Sequence, residues 1–318
     1  MAKNILVTGA TGFIGGAICI ELKKLGHNIT GVDKVYRERI GPYIDRFLLG
    51  DIEFVITPDF LMNYKFDAVI HCAGTSLVGP SVYWPDDYYT NNVAKTINLI
   101  SLLNKYQKHT HFMFSSSASV YKTSRKLLDE DDPKEPLSPY ARTKFMIEQV
   151  LEDYRKAHNF KYTVFRYFNA CGAVPGGIHG QQPHATHIFP QLFESKTFLL
   201  NGTDYDTDDG TCVRDYIHIN DIATAHVRAM ERHAIGVYNL GSGVGMSNQQ
   251  IINKVFEKIG EQPIKIGPRR QGDSDSLVAD ISKAKMIMQW TPMCTLTDIV
   301  NDLSDWYNSS NYRKIKFY

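Results

Sequence analysis

A short apolar run followed at once by spaced glycines constrains this chain more than any other feature. Asn4-Ile5-Leu6-Val7-Thr8 reads as a buried parallel strand, and it leads directly into Gly9-Ala10-Thr11-Gly12-Phe13-Ile14-Gly15. The glycines follow G-x-x-G-x-x-G spacing. Glycine allows a turn positive φ and lets backbone approach a pyrophosphate closely. The stretch from Gly15 to Leu25, closed by Gly26, predicts a helix. Its N-terminus would offer free N–H groups and the positive end of a dipole to an anion. Glycine spacing alone is weak. Between a strand and an amphipathic helix it predicts a dinucleotide-binding turn, with a purely structural tight turn as the competing reading.

The same rhythm continues down the chain. Asn28 to Asp33, Asp67 to His71, His111 to Ser115 and Tyr162 to Arg166 read as further strands, separated by helix-like segments. This βαβ alternation predicts an α/β fold, a doubly wound parallel sheet of the Rossmann type with helices on both faces. From Cys171 to about Thr211 the chain becomes rich in Gly, Pro, His and Asp. Regular structure is expected to resume with Tyr216 to Ile219. Tyr238-Asn239-Leu240 looks like a late strand, and a helical stretch begins near Ser247. We therefore expect a cofactor domain over residues 1–170, to which 215–240 returns. A smaller, interleaved C-terminal lobe would be built mainly from 171–214 and 241–318.

A chain of 318 residues can bury the core such a fold needs. Its net charge of +1, from 35 Lys+Arg against 34 Asp+Glu, argues against a general nucleic-acid binder. No signal-peptide pattern opens the sequence, and its apolar runs fall short of a membrane span. Cys19, Cys72, Cys171, Cys212 and Cys294 are odd in number and form no C-x-x-C pair. They read as free thiols in a reducing, cytoplasmic setting, with no metal site expected.

Asp33 ends the second strand, 24 residues after Gly9. A carboxylate there can accept both hydroxyls of an adenine ribose and would repel a 2′-phosphate, which favours NAD over NADP. Lys34 and Arg37 pull the other way, because a cation could accommodate that phosphate. A strand-end turn is the bland reading of Asp33. Asp51-Ile52 is placed to hold the adenine, and Cys72-Ala73-Gly74 offers small residues where backbone must pass close to a cofactor.

Ser138-Pro139-Tyr140-Ala141-Arg142-Thr143-Lys144 carries the chemistry. Ser138 suits an N-cap and Pro139 the first helical position. Tyr140 and Lys144 then lie one turn apart on one helix face. A free tyrosine, with a pKa of about 10, is a poor base at neutral pH. A nearby ammonium and the positive nicotinamide ring would favour its phenolate. Ser115-Ser116-Ser117, closing a strand some twenty residues earlier, offers a hydroxyl for a reacting oxygen. A Tyr-x-x-x-Lys pair alone also describes many ordinary exposed helix faces.

Together the glycine turn, the serine-rich strand and the Tyr-x-x-x-Lys helix resemble the extended short-chain dehydrogenase/reductase superfamily. Other stretches resemble the UDP-galactose (UDP-glucose) 4-epimerases. These are Ala73-Gly74 with Val78-Gly79 and Ser81, Tyr88 to Asn92, Arg166-Tyr167-Phe168-Asn169, Pro268 to Asp273 and, most specifically, Asp204 to His218. The resemblance runs from residue 4 to about 292. It implies NAD-dependent 4-epimerisation of a UDP-hexose through a transient 4-keto sugar, in a homodimer joined by two helices per subunit. It assigns Ser117, Tyr140 and Lys144 to catalysis. Gly9, Gly12, Phe13, Ile14, Gly15, Asp33, Lys34, Asp51, Ile52, Cys72, Ala73, Gly74, Asn91 and Phe168 become cofactor contacts, alongside Tyr140 and Lys144. Asn169, His187, Arg214, Arg270 and Asp273 become contacts to the nucleotide sugar, with Leu199, Leu200 and Asn201 along the uracil. Leu277, four residues after Asp273, would border the sugar's C2 side and bear on whether N-acetylated hexoses fit.

Three departures stand out against that family. The segment from Asp33 to Asp51 is short, Ser76 replaces a lysine common near the cofactor phosphates, and Lys122 replaces a glycine. Ala118-Ser119 stands where 4,6-dehydratases carry an acid pair, which argues against dehydration. A UDP-glucuronate decarboxylase and a non-catalytic NAD-sensing regulator are the remaining alternatives, and the presence of both Tyr140 and Lys144 speaks against the regulator.

Overall fold

The computed structural model describes residues 1–122, 124, 126–269 and 274–316. Their strands are β1 (Asn4–Thr8), β2 (Asn28–Asp33), β3 (Arg46–Leu49), β4 (Ala68–His71), β5 (His111–Ser117), β6 (Tyr162–Tyr167), β7 (Asn169–Cys171), β8 (Phe198–Asn201), β9 (Val213–His218), β10 (Gly236–Leu240), β11 (Gly245–Ser247), β12 (Ile264–Gly267) and β13 (Ser276–Leu277). Seven of them form the main sheet, in the order β10-β6-β5-β4-β1-β2-β3. Every neighbouring pair in it is parallel. The α/β doubly wound fold is therefore the one observed.

Alternation along β1 explains the layering. Ile5 and Val7 point into one core with Ile18, Leu22 and Ile222, from helices Phe13–Lys24 and Ile219–Arg232. Leu6 points to the opposite face, into a core with Val69, Phe112, Ile100 and Leu151. Each such side chain, when fully buried, contributes about 1.5–3 kcal/mol. The chain leaves β1 for β2 and β3 on one side and returns to β4 on the other. This reversal opens a crevice at the carboxyl ends of β1 and β4, where ligands of open α/β sheets bind.

Outside the main sheet, β9 is central. Its first half pairs with β11 and β13, and its second half with β7. A two-stranded parallel sheet of β8 and β12 lies apart from it. Trp306, Ile251 and Phe189 centre a third core. Ala284, Met288 and Trp290 belong instead to the core under β1.

Several elements differ from their sequence expectation. β9 begins at Val213, not near Tyr216, since distant β11 and β13 pair with its start. Ile219 opens a helix instead of closing that strand, and the His218 ring accepts from Asn220 N as its cap. The stretch after Cys171 also carries a helix, Ile188–Glu194, besides β8.

Candidate active site

The glycine turn has the shape its spacing demands. Gly9 has φ of 67°, and a Cβ there would stand 2.7 Å from Ala73 N. A Cβ on Gly15 would lie 2.1 Å from Gly9 O. Any side chain at either position would displace the turn. The turn and the segment after β4 form one side of a cleft of about 360 Å³. Gly9, Gly12, Asp33, Lys34, Asp51, Ile52, Cys72, Ala73, Gly74 and Asn91, all expected cofactor contacts, line it together. Phe13, Ile14 and Gly15 begin the helix behind the turn and do not line it.

Hydrogen bonds fix the acidic end of this cleft. Asp33 Oδ2 accepts from Thr11 N and Oγ1, each at 3.0 Å, and Oδ1 accepts from Val35 N. Asp51 is held between Lys34 at 2.8 Å and Lys95 at 2.6 Å. Burial opposes its ionisation, but the two ammonium groups prevail and hold its carboxyl at about 2. Lys95 and Thr75 also line the cleft, and the sequence reading missed both. Lys95 was within reach of it, because Asn91 and Lys95 are four residues apart and share a helical face. Asn91 itself lies on a π-helical turn, Tyr89–Ala94, a feature often retained at functional sites. Its neighbour Asn92 is buried, accepts from Thr75 N at 2.8 Å and donates to Thr143 Oγ1 at 3.1 Å. The cleft wall is thereby tied to the helix that carries Tyr140.

That helix is Pro139–His158, and Ser138 caps it by accepting from Ala141 N at 3.1 Å. Tyr140 and Lys144 are both buried. Lys144 Nζ donates to Ser115 O at 2.9 Å and lies 5.9 Å from the Tyr140 ring centroid. A Cβ on Gly74 would approach its ammonium to 3.6 Å, but neither Lys144 nor Tyr140 is among the residues that line the cleft. Burial lowers Lys144 to about 8. Tyr140 is pushed up by burial, against a hydrogen bond with Ser117 that pulls it down. Ser117 Oγ accepts from Ser119 Oγ at 2.9 Å, so a chain of hydroxyls leads from Tyr140 toward the loop after β5.

Phe168, an expected cofactor contact, and the described residues expected to meet the substrate do not line this cleft. Phe168 is buried in a cluster with Ala118 and Val120, and Leu277 packs against that cluster. Asn169 opens β7. Arg214 on β9 is in register with Leu277 on β13, and its Nη1 donates to Ser274 O at 2.9 Å. His187 precedes helix Ile188–Glu194 and is exposed. On β8, Leu199 is exposed and the Leu200 side chain is buried, so neighbouring residues of the expected uracil segment face opposite ways. Arg270 and Asp273 lie outside the described residues.

A parallel sheet, a glycine turn at its switch point and a Tyr-x-x-x-Lys helix beside it define a dinucleotide-dependent enzyme of the short-chain dehydrogenase/reductase type. The model of the NAD dependent epimerase/dehydratase family matches residues 5–241. A UDP-glucose 4-epimerase of Lactobacillus helveticus is 39% identical, over 96% of this chain and 97% of its own length. A solved UDP-glucose-4-epimerase from Stenotrophomonas maltophila, with bound NAD and formylated UDP-arabinopyranose, superposes with a TM-score of 0.91 at 32% identity, covering 99% of both chains. The UDP-Glc/GlcNAc 4-epimerase of Campylobacter jejuni gives 0.83 at 32% identity, over 96% of this chain and 99% of its own. The chain belongs to the NAD dependent epimerase/dehydratase family, in its UDP-glucose 4-epimerase branch.

Proposed function

We propose that the protein interconverts UDP-glucose and UDP-galactose by NAD-dependent epimerisation at C4, and that it also accepts the N-acetylated pair. The observation that carries this reading is the buried Tyr140, hydrogen-bonded to Ser117 one helical turn from Lys144, beside the glycine-floored cleft. The cleft fits NAD: the glycine turn closes against the backbone of Cys72 and Ala73 with no room for a side chain at Gly9, and Asp33 presents an oriented carboxylate. Gly9, Gly12, Asp33, Lys34, Asp51, Ile52, Cys72, Ala73, Gly74 and Asn91 would hold it. When bound, NAD takes up the C4 hydride and gives it back, so the net redox change is zero.

The chain's own groups handle protons and position. Tyr140 removes the proton of the sugar 4-hydroxyl and later returns it, while Ser117 holds that oxygen. Lys144, with its pKa near 8, keeps a positive charge beside the phenol at neutral pH. Arg214 offers a guanidinium fork to the diphosphate. Asn169 and His187 serve the sugar and phosphates. β8 pairs only with β12 among the described residues, which leaves one backbone edge for the uracil to read. The division into a cofactor lobe and a nucleotide-sugar lobe belongs to this reading, as does a homodimer. The five free cysteines support a cytoplasmic location. Among the described residues no helix is long and apolar enough to cross a membrane.

Cofactor choice gives one test. Titrated into cofactor-free protein, NAD is expected to bind about tenfold or more tightly than NADP, a difference of ~1.4 kcal/mol. Equal affinities would mean that Lys34 and Arg37 cancel the effect of Asp33.

Substrate breadth gives another. Incubation with each UDP-hexose and no added reductant should yield its C4 epimer for both pairs. Absence of product from all four would overturn the reading. Leu277 lacks the bulk and hydroxyl of tyrosine. Leu277→Tyr should therefore lower kcat/KM for the N-acetylated pair relative to the plain pair, by an amount worth ~1–3 kcal/mol. An unchanged ratio would show that Leu277 only packs against Phe168 and its neighbours.

A further inference from the structure

Lys95 lines the cofactor cleft at the start of helix Lys95–Tyr106, four residues after Asn91, and its ammonium donates to Asp51 Oδ2 at 2.6 Å. Lys34 Nζ stands 2.8 Å from the same oxygen. Asp51 caps the short helix Ile52–Val55, its Oδ1 accepting from Glu53 N at 3.1 Å. Just before it, Gly50 N donates to Asp33 O at 2.9 Å, so the backbone beside Asp51 is fixed to that of Asp33. A helix cap needs no cation. Two ammonium groups gathered on one oxygen of that cap, inside the cleft, call for a further explanation.

The two lysines are unequal. The Lys34 side chain is 61% exposed and that of Lys95 only 15%. Water screens the Lys34 pair and side-chain freedom opposes it, so Lys95 is the partner that fixes Oδ2. A carboxylate offers about four acceptor directions. The lysines take those of Oδ2, and Glu53 N takes one of Oδ1. One direction remains on Oδ1, in a side chain that is still 12% exposed and lines the cleft. Against burial, the ammonium groups hold the carboxyl at about 2, so at neutral pH this oxygen accepts and does not donate. Adenine carries a donating amine at its 6-position, whereas hypoxanthine carries an accepting carbonyl there. A fixed acceptor tells them apart, and a mobile one does so poorly.

We propose that Lys95 is a positioning residue for the cofactor's base: by pinning Asp51 Oδ2 it leaves Oδ1 as a fixed acceptor for the 6-amino group of adenine, and so sets a preference for adenine over hypoxanthine dinucleotides. The inference rests on the NAD reading, with Asp51 beside the adenine, and adds Lys95 acting through that carboxylate. A lysine that met the diphosphate directly would instead raise the affinity for both dinucleotides alike.

The test is calorimetric titration of NAD and of nicotinamide hypoxanthine dinucleotide, which differ only at that 6-position, into the full-length protein freed of cofactor. Wild type should bind NAD about tenfold or more tightly, since the carbonyl leaves the acceptor unpaired. Lys95→Met should shrink that ratio by about threefold or more, the scale of a partly exposed ion pair. Asp51→Ala should abolish the preference. Adding Lys95→Met to it should change the ratio no further, because a residue that works through Asp51 then has nothing to act on. If Lys95→Met fails to fold, Lys95→Gln takes its place, keeping a donor without the charge. Equal weakening of both dinucleotides would overturn the proposal and make Lys95 a charge that meets the diphosphate. A lower Tm with an unchanged ratio would overturn it too, and leave Lys95 as a strut between two segments. A wild type that binds both dinucleotides alike refutes the inference and leaves the NAD reading standing, whereas one that binds neither removes both.

Discussion

Tyr140→Phe is expected to cut epimerisation by about 10²–10⁴-fold while the protein still holds its NAD. The substitution removes one oxygen from a buried side chain whose ring packs edge-on to Tyr88 at 6.5 Å, and it leaves that packing intact. On the proposed mechanism the lost group is the proton acceptor, which is hydrogen-bonded to Ser117. The cofactor cleft is built from other residues, chiefly the glycine turn and the ends of β2 and β4. Turnover and bound cofactor should be measured on the same preparation. Near-wild-type turnover would remove Tyr140 from the chemistry. Loss of both together would mean that the phenol supports the cleft rather than the reaction.

Arg166→Met should lower stability by about 3–5 kcal/mol, the cost of stranding a buried charge. Arg166 on β6 is 3% exposed, and its Nη2 lies 2.6 Å from Glu148 Oε2. Its Nη1 donates to Tyr121 OH at 2.8 Å and to Glu130 O at 2.9 Å. Ser116 also donates to Glu148. The network ties β5, next to Ser117, to the helix that carries Tyr140. Without the guanidinium, Glu148 would be buried with its main partner gone. Removing both charges in Glu148→Leu/Arg166→Met should restore much of the loss, since a well-packed apolar pair often replaces a buried ion pair at little cost. Denaturant midpoints of the two variants and wild type decide it. A cost below about 1 kcal/mol in Arg166→Met would show that water reaches Glu148.

Which parts were legible from the residues follows from the range of the interactions involved. The glycine turn, the Ser138 cap and the one-turn spacing of Tyr140 and Lys144 are local, and local geometry is written in adjacent residues. Asp33 was legible because a strand's length places its last residue beside the turn. Strand ends set by distant partners were not. β9 gains its first residues from β11 and β13, which lie about 30 and 60 positions further on. The balance of charges was hidden for the same reason. Spacing put an ammonium near Tyr140, but only burial in three dimensions reveals the desolvation that pushes the phenol up. The clamp of Lys34 and Lys95 on Asp51 joins three stretches of chain that no single window contains.

The main sheet ends at β10, which pairs with β6 although about 70 residues separate them in the chain. On the ribosome, at roughly 5–20 residues per second, that gap corresponds to several seconds of synthesis. During this interval β6 is an open edge, with Val164 and Phe165 among its side chains and a row of unpaired backbone groups. Such an edge is a template for wrong partners until its own arrives. Arrival also closes a second lock, because Asn239 of β10 donates its N–H to Glu130 Oε1 at 2.8 Å and its amide to Leu128 O at 2.8 Å. A nascent chain stopped before residue 236 would thus carry the whole glycine turn and the Tyr140 helix and still lack the strand that finishes their sheet. The price of interleaving is a window of exposure in translation, and a polypeptide halted within it is a natural client for a chaperone.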